Sequence, residues 1–185
     1  GLPPTAISWA DLIAQSGPVE FEPVPFSHPL YVLYSSGTSG PPKAIVHGHG
    51  GILLEHLKAL GLHGDLGPDD RFFWFSTTGW MMWNFLVSGL TAGSTVVLYD
   101  GSPGHPELSR LWSLAGEEGV TYLGTSAGYL SACERAGVRP GQVADLSRLH
   151  TVGSTGSPLA PRTAHWVRDV LGADVYLSSI SGGTD

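Results

Sequence analysis

"VTYLGTSAGYLSACERAG", residues Val120–Gly137, sets a short apolar run directly against a stripe with helical spacing. Val120 to Gly124 read as a strand. Tyr129, Ala132, Cys133 and Ala136 follow at i, i+3, i+4 and i+7 and read as the buried face of a helix. The alternation continues in both directions. Upstream, "RFFWFS" (71–76) and "STVVLYD" (94–100) are strand-like. Between them "WMMWNFLVSGL" (80–90) is too uniformly apolar to face water and reads as a buried helix, while "ELSRLWSLAGEEG" carries Leu108, Leu111, Trp112 and Ala115 on one stripe. Downstream come the strand "LHTVG", the helix "PRTAHWVRDVLG" and the strand "DVYLSSI". Strands joined by helices pair in parallel through right-handed crossovers. The expected fold class is therefore α/β, a layered sheet with helices, in which ligands sit at the carboxyl ends of the strands.

The first part of the chain is organised differently. "ISWADLIAQSGP" reads as a short helix with Ser8 as N-cap and Gly17–Pro18 as its stop. Residues 18–29, "PVEFEPVPFSHP", hold four prolines and read as an extended connector. "LYVLYS" (30–35) is a strand, and "GILLEHLKALGL" a helix with Leu53, His56, Leu57 and Leu60 on one face. The domain reading is a helix and proline-rich connector over 1–28, followed by the α/β unit over 29–185.

Bulk composition narrows the partners. The chain has 185 residues, enough for one domain with a real core, and a formal net charge of −7. That charge argues against a nucleic-acid surface or an anionic membrane as partner. A single cysteine, Cys133, excludes an intrachain disulfide framework and fits a reducing cytoplasm. Cys133 lies on the core stripe of its helix, so burial is expected rather than nucleophilicity. No apolar run approaches the roughly 20 residues of a membrane helix, and the first residues do not read as a signal peptide.

Three loops leaving strand ends carry the chemistry: "SSGTSGPPK" (35–43), "GSTGSPL" (153–159) and "SGGTD" (181–185). The first is rich in glycine and hydroxyls and ends on Lys43, one of only two lysines. Converging backbone N–H groups beside a full positive charge suit a polyphosphate. It is not a Walker A loop, which needs a hydroxyl residue after the lysine; here Ala44 follows. Other patterns compete. Gly124-Thr125-Ser126-Ala127-Gly128 matches the G-x-S-x-G nucleophile elbow, with Asp145 and His150 or His165 as the only later partners for Ser126. His47 and His49 invite a metal pair but lack further ligands at zinc-like spacing, so a turn at a helix start is the simpler reading. His56 reads as a packed histidine, and Asp69-Asp70 as a solvated turn.

Taken together, the three loops resemble the adenylate-forming superfamily of acyl-CoA synthetases. Ser35-Ser36-Gly37-Thr38-Ser39-Gly40-Pro41-Pro42-Lys43 matches that family's phosphate-loop signature over its full length. "GWMMWN" (79–84) is similar to its aromatic substrate-gating segment, "GSPL" (156–159) to the segment along adenine, and "GGTD" (182–185) to its G-x-T-E, with Asp185 in place of Glu. The wording of these segments favours the acetoacetate branch over acetate or long-chain enzymes, with an acetyl- or propionyl-CoA synthetase of the same superfamily as the alternative.

The resemblance implies a two-step reaction: ATP and a short carboxylate give an acyl-adenylate and pyrophosphate, then coenzyme A displaces AMP to form the thioester. It implies that Ser35, Ser36, Gly37, Thr38, Ser39, Gly40, Lys43 and Thr184 hold the phosphates, with Lys43 and Thr184 catalytic. It implies that Gly156, Ser157, Pro158, Gly182 and Gly183 face the adenine, that Trp80, Met81, Met82 and Trp83 form the acyl pocket, and that Asp185 binds Mg²⁺. It further implies that the chain is a central piece of the family's large N-terminal domain, inactive alone, whose partners are the preceding and following parts of the same enzyme.

Overall fold

The computed structural model describes residues 6–35 and 40–183. It opens with α1 (Trp9–Ile13), capped as expected by Ser8, whose Oγ accepts the Asp11 N–H at 3.1 Å. The helix buries none of its residues. β1 (Pro29–Ser35) and β2 (Lys43–Gly48) then pair antiparallel, with Tyr31 opposite His47 and Ser35 opposite Lys43. This corrects the reading of residues 30–35 as one more strand in the strand–helix series. Parallel pairing needs a crossover of a dozen or more residues, and the segment between these strands is far too short for one.

α2 (His49–Leu57) runs on into a π-helical segment, Lys58–His63. His56 and Leu60 are buried as expected, but Leu53 and Leu57 are 47% and 38% exposed. The inward face runs instead through Ile52, His56, Ala59 and His63, the last two in the wider π turn.

The main sheet follows. In chain order its parts are β3 (Arg71–Trp74), α3 (Met81–Val87) with a 3₁₀ turn over Ser88–Ala92, and β4 (Thr95–Val97). Next come α4 (Arg110–Glu117), β5 (Tyr122–Ser126), α5 (Ala127–Arg135) and the short α6 (Pro140–Val143). β6 (Thr151–Thr155), α7 (Pro161–Leu171) and β7 (Tyr176–Ser179) complete it. The strand order is β4-β3-β5-β6-β7, and every pairing is parallel. The α/β expectation holds for this sheet.

Alternation along the strands builds a core on each face. Phe73, Leu123 and Val152 point to one side and pack with Leu111 and Trp112 of α4, Leu130 and Cys133 of α5 and Val167 of α7. Cys133 is fully buried, and burial pushes its thiol pKa up. Phe72, Trp74 and Tyr122 point the other way and pack with Leu60, Met82, Phe85 and Leu86. Trp74 fits only because Gly124 and Gly153, side by side in β5 and β6, carry no side chain: a Cβ at Gly124 would stand 2.0 Å from its indole, and one at Gly153 2.6 Å.

The amino ends of the strands are tied by Asp70. Its carboxylate accepts from the Gly67 N–H (2.8 Å), Thr121 Oγ1 (2.7 Å) and His150 Nε2 (2.9 Å). Asp70 is therefore not the solvated turn residue that its neighbour Asp69 is. Its partners lie 51 and 80 residues away in sequence, beyond the reach of any local pattern.

Candidate functional site

The carboxyl ends of the strands open into a cleft of about 920 Å³. One wall comes from β2, α2 and the π segment, with His47, Ile52, Glu55, His56, Ala59 and His63. A second is α3 and the residue before it, with Trp80, Met81, Met82 and Phe85. The third is the pair of segments leaving β6 and β7, residues 155–158 and 178–183. The sheet supplies the floor through Tyr122. The π turn widens the helix where it meets the cleft, a feature frequent at functional sites.

Most of the segments singled out in the sequence meet here. Gly156, Ser157 and Pro158 form the turn after β6, with Gly156 at φ +88°, a backbone angle that favours glycine. Gly182 and Gly183 face the same space from beyond β7. Of the four proposed acyl-pocket residues, Trp80, Met81 and Met82 line the cleft; Trp83 packs against the apolar cluster instead. Helical geometry explains the split, since consecutive residues on α3 cannot all face one way.

The hairpin carries the described part of the segment read from the sequence as a phosphate loop. Ser35 and Lys43 face each other at its open end, and strand alternation puts them on the same side as Tyr31 and His47, of which His47 lines the cleft. Lys43 is exposed and is not itself a lining residue. Gly40 is exposed as well. Ser36, Gly37, Thr38, Ser39, Thr184 and Asp185 lie outside the described residues.

The sequence reading left several cleft residues without a site role: His47, Glu55, His56, His63 and Tyr122. His56 is 3% exposed, sets its ring edge-on to Phe85 at 5.6 Å, and has Nδ1 2.6 Å from Ser88 Oγ. Burial pushes its pKa down, with His47 adding in that direction and Glu55 opposing. Tyr31 and His47 stack obliquely at 5.6 Å, and burial raises the Tyr31 pKa. Neither Tyr31 Oη nor His47 Nδ1 has a hydrogen-bond partner among the described residues. The available signal was the recurrence of histidine at 47, 56 and 63, two of them on the inward helical face.

The competing patterns dissolve in the geometry. Ser126 Oγ accepts the Tyr129 N–H at 3.1 Å and caps α5. His150 is bound to Asp70 at the amino ends of the strands, about 16 Å from the carboxyl end of a five-residue strand such as β5. His165 is exposed on α7, and Asp145 accepts the Ser147 N–H in an exposed turn. No acid–histidine–Ser126 array can form, so the hydrolase reading is withdrawn; Gly124 is there for Trp74. His49 Nδ1 lies 2.8 Å from the His28 carbonyl, and among the described residues no group of three His, Cys, Asp or Glu could hold a metal. No helix among them is long and apolar enough to cross a membrane.

Comparison with known proteins agrees with this fold. A family model described as AMP-binding enzyme matches residues 4–182. An acetoacetyl-coenzyme A synthetase of Rhizobium meliloti is 50% identical over 97% of this chain and 28% of its own length. A malonamoyl-CoA synthetase of Penicillium aethiopicum is 44% identical over 99% of this chain and 28% of its own. The solved structure of an acetoacetyl-CoA synthetase from Streptomyces lividans superimposes with a TM-score of 0.93 at 56% identity, covering 100% of this chain and 29% of that one. The chain thus spans less than a third of the relatives that it matches.

Proposed function

Because the chain belongs to the AMP-binding enzyme family, we propose that it contributes the nucleotide and acyl sites of a synthetase that activates a short carboxylate, best acetoacetate, to its adenylate and then to the CoA thioester. The supporting observation is the convergence on one cleft of Gly156–Pro158, Gly182–Gly183 and Trp80–Met82. These segments are scattered over more than 100 residues of sequence, and each resembles a different part of an adenylating site.

Attack of a carboxylate on the α-phosphate brings two anions together, so the site must neutralise charge before reaction. Lys43 and the donors of residues 35–40 hold the β- and γ-phosphates and stabilise departing pyrophosphate; Thr184 supports them. Gly156 to Pro158 offer backbone to the adenine. Mg²⁺ bound to a triphosphate takes most of its ligands from phosphate oxygens and water and asks the protein for one or two carboxylates. Asp185 would be one such carboxylate. The ion supplies charge neutralisation at the phosphates.

One observation favours a 3-oxo acid over acetate or propionate. The relatives named for acetoacetyl-CoA and malonamoyl-CoA share an acyl group with a carbonyl at the third carbon. The test is to supply the full-length synthetase carrying these residues with ATP, Mg²⁺, acetoacetate and coenzyme A. Stoichiometric AMP and acetoacetyl thioester are expected; ATP cleavage to ADP, or no thioester, would overturn the reading.

A further inference from the structure

We propose that His56 is the specificity-determining residue for the acyl group, donating a hydrogen bond from Nε2–H to the carbonyl oxygen at the third carbon, with Ser88 supporting that tautomer. The inference rests on the acyl-activating reading of the cleft and adds the donor that the reading lacks. A 3-oxo acid presents only acceptors along its chain. Pocket size scarcely separates acetoacetate from butyrate, so discrimination needs a buried donor matched to the oxo group.

His56 is the imidazole best placed to supply one. It lines the cleft between α2 and α3, buried against Phe85, beside the Trp80–Met82 wall. Nδ1 is committed to Ser88 Oγ at 2.6 Å, and among the described residues no hydrogen bond uses Nε2. The buried ring is held neutral, so one nitrogen carries the proton and the other a lone pair.

The Ser88 hydroxyl can serve either form. It donates to the Asn84 carbonyl at 2.8 Å, which leaves its oxygen free to accept from an Nδ1–H, but that carbonyl already accepts the Ser88 backbone N–H. Turning the hydroxyl proton from Asn84 to His56 Nδ1 therefore orphans no group. With Nδ1 as acceptor, Nε2 bears the hydrogen and faces the substrate as a neutral donor. The same geometry serves an amide carbonyl in the oxo position. Glu55, His47 and His63, the other titratable groups on these walls, keep their own places in the cleft.

The experiment measures kcat/KM for acetoacetate and for butyrate in the full-length synthetase, for the parent, His56→Phe, His56→Gln and Ser88→Ala. Phenylalanine keeps the edge packing and removes the donor, so the acetoacetate-to-butyrate ratio should fall roughly ten- to a hundredfold. Glutamine carries an amide N–H and should retain part of the ratio; Ser88→Ala should lower it by a smaller factor. A ratio within twofold of the parent in His56→Phe overturns the proposal. If that variant does not fold, an unchanged ratio in Ser88→Ala does so. A parent that uses butyrate as well as acetoacetate overturns this inference alone, while a parent that activates neither acid overturns the reading of the site along with it.

Discussion

Gly156 and Trp80 meet across the cleft: a Cβ on Gly156 would stand 3.7 Å from the indole Cζ2, at a backbone φ of +88°. The segment proposed to carry adenine and the first residue of the acyl wall thus share one boundary. Nucleotide and acid would be held side by side, as transfer between them requires.

Gly156→Ala should be tolerated by packing, since 3.7 Å is ordinary contact, but not by the backbone. An L-residue in this left-handed conformation costs about 1–2 kcal/mol. The urea midpoint of the full-length enzyme should fall accordingly and KM for ATP should rise. Unchanged values for both would show that the turn is not held in this conformation.

Trp80 and Trp83 should separate. Both pack against the apolar cluster, but only Trp80 also lines the cleft. Trp80→Gly should shift the chain-length preference toward longer acids, with about 0.8 kcal/mol gained for each methylene newly buried. Trp83→Gly should lower stability and leave the profile in place. The reverse pattern in acid-competition assays would refute the assignment of the acyl wall.

Asp70 should give the fold an acid limb. Burial pushes its carboxyl pKa up, but hydrogen bonds from His150, Thr121 and the Gly67 N–H outweigh this and hold it below the usual range. The folded pKa therefore lies under the unfolded value of about 3.9. Its stabilisation is complete above that value and is lost as pH falls through the folded pKa. Urea midpoints measured from pH 6 to 3 should drop more steeply in the parent than in Asp70→Asn. Parallel curves would mean that Asp70 titrates as it does in the unfolded chain.

Much of this was legible in the sequence for a physical reason. β5 and α5 announce themselves because each buries one face, and burial writes a period of 2 or 3.6 into the residues. The loops of the cleft are legible because their glycines and hydroxyl residues stand out against the apolar strands they follow. The hairpin was half missed: Lys43–Gly48 is short, follows two prolines and mixes glycine with histidine, so it lacks a strand's composition. The inward face Ile52, His56, Ala59 and His63 keeps helical spacing but mixes histidine with apolar residues, so a stripe chosen for apolarity falls on Leu53 and Leu57 instead. His56 looked like core and is core, yet its position over the cleft depends on α3, more than 20 residues away. The Asp70 knot is tertiary in its bonds to Thr121 and His150, with only the Gly67 N–H local.

Lys43 bears most directly on the proposed phosphate site. A charge-assisted hydrogen bond contributes roughly 1.5–3 kcal/mol. Realised in the transition state, that is about ten- to a hundredfold or more in rate. Lys43→Ala should slow adenylation by that factor and leave the fold intact, because the residue is exposed at the start of β2. A rate within twofold of the parent would remove Lys43 from the phosphate site.

The central claim is that this cleft joins a carboxylate to the α-phosphate of ATP. It is tested most directly by exchange of labelled pyrophosphate into ATP, catalysed by the full-length synthetase without coenzyme A. Exchange should require Mg²⁺ and acetoacetate together and fall to background when the acid is omitted. Exchange indifferent to any short carboxylate, or none in the presence of all of them, would contradict it.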